Sequence, residues 1–382
     1  MQKQSKAAQR SEGGHIPALD GVRGLAVLGV FILHYGGGAQ SSNPLLRAIG
    51  VTNRFGWSGA TLFFVLSGFL ITGILWKSIG TPHWWRNFFF RRCLRIFPLY
   101  YFVMLLIIVS CLAARAFWQF APSIGIYLLY LQNLVGGQKI QAILWYRLGH
   151  FWSLAVEEHF YLFWPFLLSR MSSIRRAQYL CFSVVLLSLL SRAWIFYYAH
   201  DLLYFSTPAR AGELAVGAWL ALVVRENPAW LATFRRFAPA VFFACLAIAA
   251  AIAFAVHDPE LNTMPMYILG IPVCSFAAAA LILMALQKGI WTKWLSFPPL
   301  RHLGVISYGV YVYHVLLHNA YETIALRLAP HASRNLQLAL QLIVAFCLTL
   351  LVAQCSYTFF ERPLLRLKDR FAPAVAPVAQ YS

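Results

Sequence analysis

The chain has 382 residues, 60% of them hydrophobic and only 11% charged, and a soluble fold of that length could not bury so much apolar surface. Its 31 basic and 12 acidic residues give a net charge of +19, which suits nucleic acid, an anionic membrane or an acidic ligand. Nucleic acid is set aside, because Lys and Arg fall in short clusters between apolar runs of about 20 residues, the length that crosses a bilayer.

In chain order, residues 1–15 read as a flexible N-terminal tail, followed by an uncleaved first helix over 16–35. Further helices are predicted near 59–76, 96–114, 151–169, 178–199, 209–224, 237–256, 264–286, 302–325 and 336–360. The fold class is therefore all-α, a polytopic transmembrane bundle of about ten spans. Residues 116–135 suit either an eleventh span or an interfacial segment. With ten spans and both termini cytoplasmic, 21 of the 31 basic residues lie inside, whereas an eleventh span would move the 170–176, 225–236 and 288–301 clusters outside.

The polar residues within these spans carry the functional reading. In LDGVRGLAVLGVFILH, Asp20 and Arg23 are three apart and can pair. Arg23 and His34 are three turns apart on one face, about 16 Å along the axis. His34 suits a general base, and by spacing alone equally suits a side chain at the outer interface. Glu157 and Glu158, in WSLAVEEHFYLFWP, are placed at the level of His34 and point about 100° apart, so at most one can orient it. Trp152, Tyr161 and Trp164 read as packing.

RNFFFRRCLRIFPLYY reads as an inner loop before a span. Its Arg91, Arg92 and Arg95 suit lipid headgroups or the phosphates of a cytosolic donor. Ser67, Gly68 and Phe69 suggest a close helix contact. Arg210 and Glu213 suit an intramembrane ion pair and are also candidate substrate contacts. Ser307, Tyr311 and His314, spaced by four and three, form a polar stripe that can meet substrate. The seven scattered cysteines show no CxxC and no histidine spacing suited to zinc, so no metal site is expected.

Taken in order, LDGVRGLAVLGVFILH, FFVLSGFLIT, RRCLRIFPLYY, FWSLAVEEHFYLFWP, RAGELAVGA, ISYGVYVYH and FFERP resemble the acyltransferase 3 family of bacterial membrane O-acyltransferases. The resemblance spans about residues 16–363, with 364–382 left as a cytoplasmic C-terminal tail. It implies transfer of an acyl group, usually acetyl from acetyl-CoA, to a hydroxyl of a carbohydrate or glycolipid acceptor at the bacterial inner membrane. By that resemblance Arg23 and His34 are the essential pair, and Arg92 and Arg95 the cytoplasmic R-x-x-R that meets acyl-CoA. His34 can serve there as base or as acyl carrier. Acyl-CoA is a donor substrate, and no bound cofactor is expected. The sequence ends without the hydrolase-like domain that some members carry, which leaves room for a separate periplasmic partner. Two rival readings stand beside this one. A transporter would use Arg23, Glu157 and His34 as an ion or proton relay, though no pair of matching interrupted helices supports it. A lipid-glycan flipping or scaffolding protein would not need Arg23 and His34 aligned.

Overall fold

A computed structural model describes residues 16–37, 41–135, 142–199, 202, 204–226, 228–257 and 263–371. The tail expected over 1–15 lies outside the described residues, as does the chain beyond 371. The described chain is almost entirely helical. The first part comprises α1 (Pro17–Tyr35), α2 (Pro44–Asn53), α3 (Ser58–Ser78), α4 (Trp84–Ala113) and α5 (Phe117–Leu128). A two-residue hairpin, Ala142–Ile143 with Tyr146–Arg147, and a 3₁₀ turn at Gly149–Phe151 lead into α6 (Trp152–Ser169). Then follow α7 (Ile174–Tyr198), α8 (Thr207–Glu226), α9 (Pro228–Ala255) and α10 (Ile271–Ala285), the last entered through a π turn at Met266–Gly270. The C-terminal part comprises α11 (Ile290–Leu295), α12 (Pro298–Val305), α13 (Ser307–Leu316), α14 (His318–Leu328) and α15 (Arg334–Ser356). A π turn at Tyr357–Glu361 leads to α16 (Arg362–Phe371).

Seven helical stretches among the described residues are long and apolar enough to cross a membrane: α1, α3, α4, α7, most of α9, the 266–285 stretch and 334–367. The other three predicted spans fall short for two physical reasons. Helices α6 and α8 carry Glu157, Glu158, Arg210 and Glu213 within the span, and the segment predicted as one helix over 302–325 is three short helices. Helix α5, of 12 residues, rises only about 18 Å, too short to span. Exposed Phe182, Leu186, Leu187 and Leu190 on α7 and Phe243 and Leu246 on α9 make an apolar exterior suited to lipid.

One expected loop is helix. The arginine-rich stretch 84–95 forms the first three turns of α4, because Trp84, Phe88, Arg92 and Ile96 recur every four residues on one face. Phe88 and Ile96 are buried in the core, so the same face carries Arg92 inward. Helices α3 and α8 interlock as small residues permit: a Cβ at Gly68 would overlap the Leu214 carbonyl, and one at Gly217 the Val65 carbonyl. Gly304 of α12 likewise lies against the Asp20 carbonyl of α1. These contacts fix how far each helix is rotated, and hence which polar side chains meet.

Candidate active site

Four helices open their polar stripes into one cavity. Helix α6 presents Ser153, Glu157 and Tyr161 at intervals of four, α4 presents Arg92 and Arg95, α13 presents Ser307, Tyr308 and Tyr311, and α1 presents Arg23. Ser67 and the apolar side chains of α3 close the remaining wall. About 110 Å³ is open to the centre of a water molecule, room for several waters or a narrow chain. Arg95 is exposed at the mouth, while Arg92 is half-buried and Arg23 lies deeper.

The polar groups are tied to one another. Arg23 Nη1 meets Asp20 Oδ1 at 2.6 Å, the pairing their spacing allows. Tyr161 donates to Glu157 Oε2 at 2.7 Å and its oxygen lies 2.6 Å from Ser67 Oγ, which donates in turn. The Arg92 guanidinium stands 5.2 Å above the Tyr161 ring, within cation–π range. With three arginines and one glutamate on its lining, the cavity favours an anion.

At the outer side of Tyr311 three imidazoles gather. The His34 and His314 rings are 4.9 Å apart, His150 and His314 5.0 Å, and His34 and His150 6.4 Å. His34 Nδ1–H donates to Val30 O at 2.9 Å and faces His314 Nε2 at 3.3 Å. His314 Nδ1–H donates to Tyr311 O at 2.7 Å, which fixes Nε2 as an acceptor. His34 is thus held as the Nδ1–H tautomer, and no described residue bonds its Nε2, the arrangement a base uses. The Tyr311 hydroxyl donates to the His150 carbonyl and lies 2.6 Å from Ser153 Oγ, forming the partition between the cavity and the imidazoles.

The geometry brings some of the expected residues together and sets others apart. Among the described residues the side chain facing His34 Nδ1 is His314, not a glutamate. Glu157 lies seven residues beyond His150 on the path into the bundle, about 10 Å deeper, and belongs to the arginine cavity. Glu158 and Arg91 do not line that cavity, being rotated off the inward face by a single residue. Arg210 and Glu213 are fully buried and 3.0 Å apart, away from the cavity lining. Phe64, Trp152 and Tyr204 surround that guanidinium at 5.3–5.4 Å. Ser307 and Tyr311 line the cavity, whereas His314 sits on the imidazole side. Tyr161 is a cavity residue as well as a packing one. His150, Ser153 and Tyr308 also belong to the site; the four-residue spacing of Ser153, Glu157 and Tyr161 was the available signal.

Fold and site together define a membrane helical bundle with an anion-favouring cavity and a cluster of three histidines beside it. The acyltransferase domain family, acyltransferase 3, matches residues 16–358, and the chain belongs to it. Peptidoglycan O-acetyltransferase OatA of Listeria monocytogenes is 27% identical over 401 residues, covering 94% of this chain and 57% of that protein. The putative peptidoglycan O-acetyltransferase YrhL of Bacillus subtilis is 27% identical, over 92% of this chain and 55% of its own. O-acetyltransferase OatA of Staphylococcus aureus is also 27% identical, over 92% and 57%. The chain thus spans a little over half the length of these relatives. No solved structure matches it.

Proposed function

We propose that the protein is an O-acyltransferase of the bacterial inner membrane, moving acetyl from cytoplasmic acetyl-CoA to a hydroxyl of a sugar or glycan precursor on the far side. It does so through ten spans with both termini cytoplasmic. The observation that carries this reading is one cavity that holds exposed Arg95, Arg92 and Arg23 and ends at Tyr311 and Ser153, with the His34, His150 and His314 cluster next to Tyr311. The thioester arm extends into this cavity while the CoA phosphates are held at Arg95 and Arg92, whose guanidiniums suit charge-assisted bonds to phosphate.

In the reaction, His34 Nε2 takes the proton of the acceptor hydroxyl while the oxygen attacks the thioester carbonyl carbon. The tetrahedral intermediate collapses, the C–S bond breaks, and the electron pair leaves on the CoA sulfur. The imidazolium so formed keeps its Nδ1–H bonds to Val30 O and His314 Nε2, which stabilise the new charge. A peptidoglycan sugar is the acceptor that the relatives' names favour.

Incubating the purified protein with acetyl-labelled acetyl-CoA and a panel of glycans tests the reading. Labelled ester on a glycan is expected. Transport of a solute without any ester product would replace this proposal with the carrier one.

A further inference from the structure

Contacts tie the walls of the arginine cavity together level by level. At the mouth, Tyr308 of α13 donates to the carbonyl of Ile96, the neighbour of Arg95. In the middle, Ser67 of α3 bonds Tyr161 of α6, and the Arg92 guanidinium stands over the same ring. At the far end, three residues further along α13, the Tyr311 ring meets Phe63 of α3 edge-on at 6.4 Å between centroids, and its hydroxyl lies 2.6 Å from Ser153 Oγ. Ala60, Phe63, Phe64, Ser153, Leu154 and Tyr311 all line the cavity. The two hydroxyls at this end are taken up by each other and by the His150 carbonyl, so the surface it offers is largely apolar. Its walls differ in how far they can yield. Tyr311 is held by those two hydrogen bonds, while Phe64 is buried against Trp152 at 5.8 Å and beneath the Arg210 guanidinium. Phe63 is half-buried, and among the described residues Tyr311 is the ring it meets.

We propose that Phe63 sets the length of the acyl chain the protein accepts. The acyl group of the donor ends against its ring: acetyl fits in front of it, and each added methylene must push it aside. This rests on the acyl-transfer reading and deepens it, since a thioester arm that enters past Arg95 carries its acyl group to the Tyr311 end. An end walled by Ala60, Phe63, Phe64 and Leu154 suits a short saturated chain, because no unbonded hydroxyl there is offered to a polar one. Phe63 makes and breaks no bond. It discriminates by volume, because a ring already in contact with Tyr311 gives way only by overpacking its neighbours.

The test needs no acceptor. Acetyl-, propionyl- and butyryl-CoA are titrated by calorimetry into the purified protein in detergent, once thermal unfolding has shown each variant to be folded. Butyryl-CoA should bind the wild type about 10- to 100-fold more weakly than acetyl-CoA, the range for overfilling a packed site, with propionyl-CoA between them. Phe63→Ala should bring that ratio toward one, because the longer chain takes the space the ring leaves. Phe63→Leu, a milder change, should bring it part of the way and carries the test if the alanine variant does not fold. Leu70→Ala widens the same cavity on the mouth side of Ser67 and should leave the ratio as it is, which a general loosening of α3 would not predict. Equal affinity of the wild type for acetyl- and butyryl-CoA overturns the inference. So does a ratio that persists in the folded Phe63 variants, or one that Leu70→Ala abolishes equally well. A wild type that binds none of the three overturns the acyl-CoA reading itself, and the length limit falls with it.

Discussion

At the residue scale the proposed function separates donor contacts from chemistry. Arg95 stands at the mouth and His34 beyond the Tyr311 partition, so their variants should fail differently. Loss of one charge-assisted contact to a phosphate costs roughly 1.5–3 kcal/mol, about 10- to 150-fold in affinity. Arg95→Ala should therefore raise KM for acetyl-CoA by that factor with a smaller change in kcat, measured by titration against the purified variant. Lysine there should restore only part, since a point charge cannot reproduce the guanidinium fork. Unchanged donor affinity in both Arg92→Ala and Arg95→Ala would remove α4 from the donor site. His34→Gln retains hydrogen bonding but cannot take a proton, and kcat should drop about 10²- to 10⁴-fold in a monodisperse preparation. Near-normal turnover would end the base assignment. Since His314 and not a carboxylate faces His34, His314→Phe should also lower kcat while leaving donor affinity intact.

At the element scale, the position of each polar stripe depends on helices seated at near backbone contact. Gly68→Ala would push a methyl into the Leu214 carbonyl, and overpacking of this kind costs about 1–3 kcal/mol. Gly73, five residues along the same helix, has open space around it. Gly73→Ala should be neutral or gain up to about 1 kcal/mol from helix propensity. Thermal unfolding in detergent compares the two; equal midpoints would show that α3 and α8 do not meet as described. The helix over Trp84–Arg95 follows the same logic, since a basic run that would otherwise be solvated is drawn into helix by Trp84, Phe88 and Ile96 on one face.

For the whole molecule, the proposed donor route requires Arg95 to open on the cytoplasmic side. A cysteine introduced at 174 or 234, in an otherwise unreactive background, should resist a membrane-impermeant reagent applied outside intact cells. Labelling at either position would invert the topology and place the arginine mouth on the wrong side for cytoplasmic acetyl-CoA. The cavity sits between α1, α3, α4, α6 and α13, helices far apart in the chain, so the site exists only in the assembled bundle.

What the sequence determined by itself follows from properties that are local. Apolar run length and basic clusters defined a membrane helical bundle, because desolvation penalises any other arrangement of such segments. The spacing of Asp20 and Arg23, and of Ser307, Tyr311 and His314, placed each set on one face, because helical period is intrinsic to the chain. Only the tertiary structure decided which faces meet. A rotation of about 100° separates Glu157 in the cavity from Glu158 outside it, and which of them faces inward is set by how α6 seats on its neighbours, through contacts such as Trp164 with Thr72 of α3. Likewise His34, His150 and His314 lie more than a hundred residues apart in sequence, and their convergence comes from packing between helices that no single periodicity specifies.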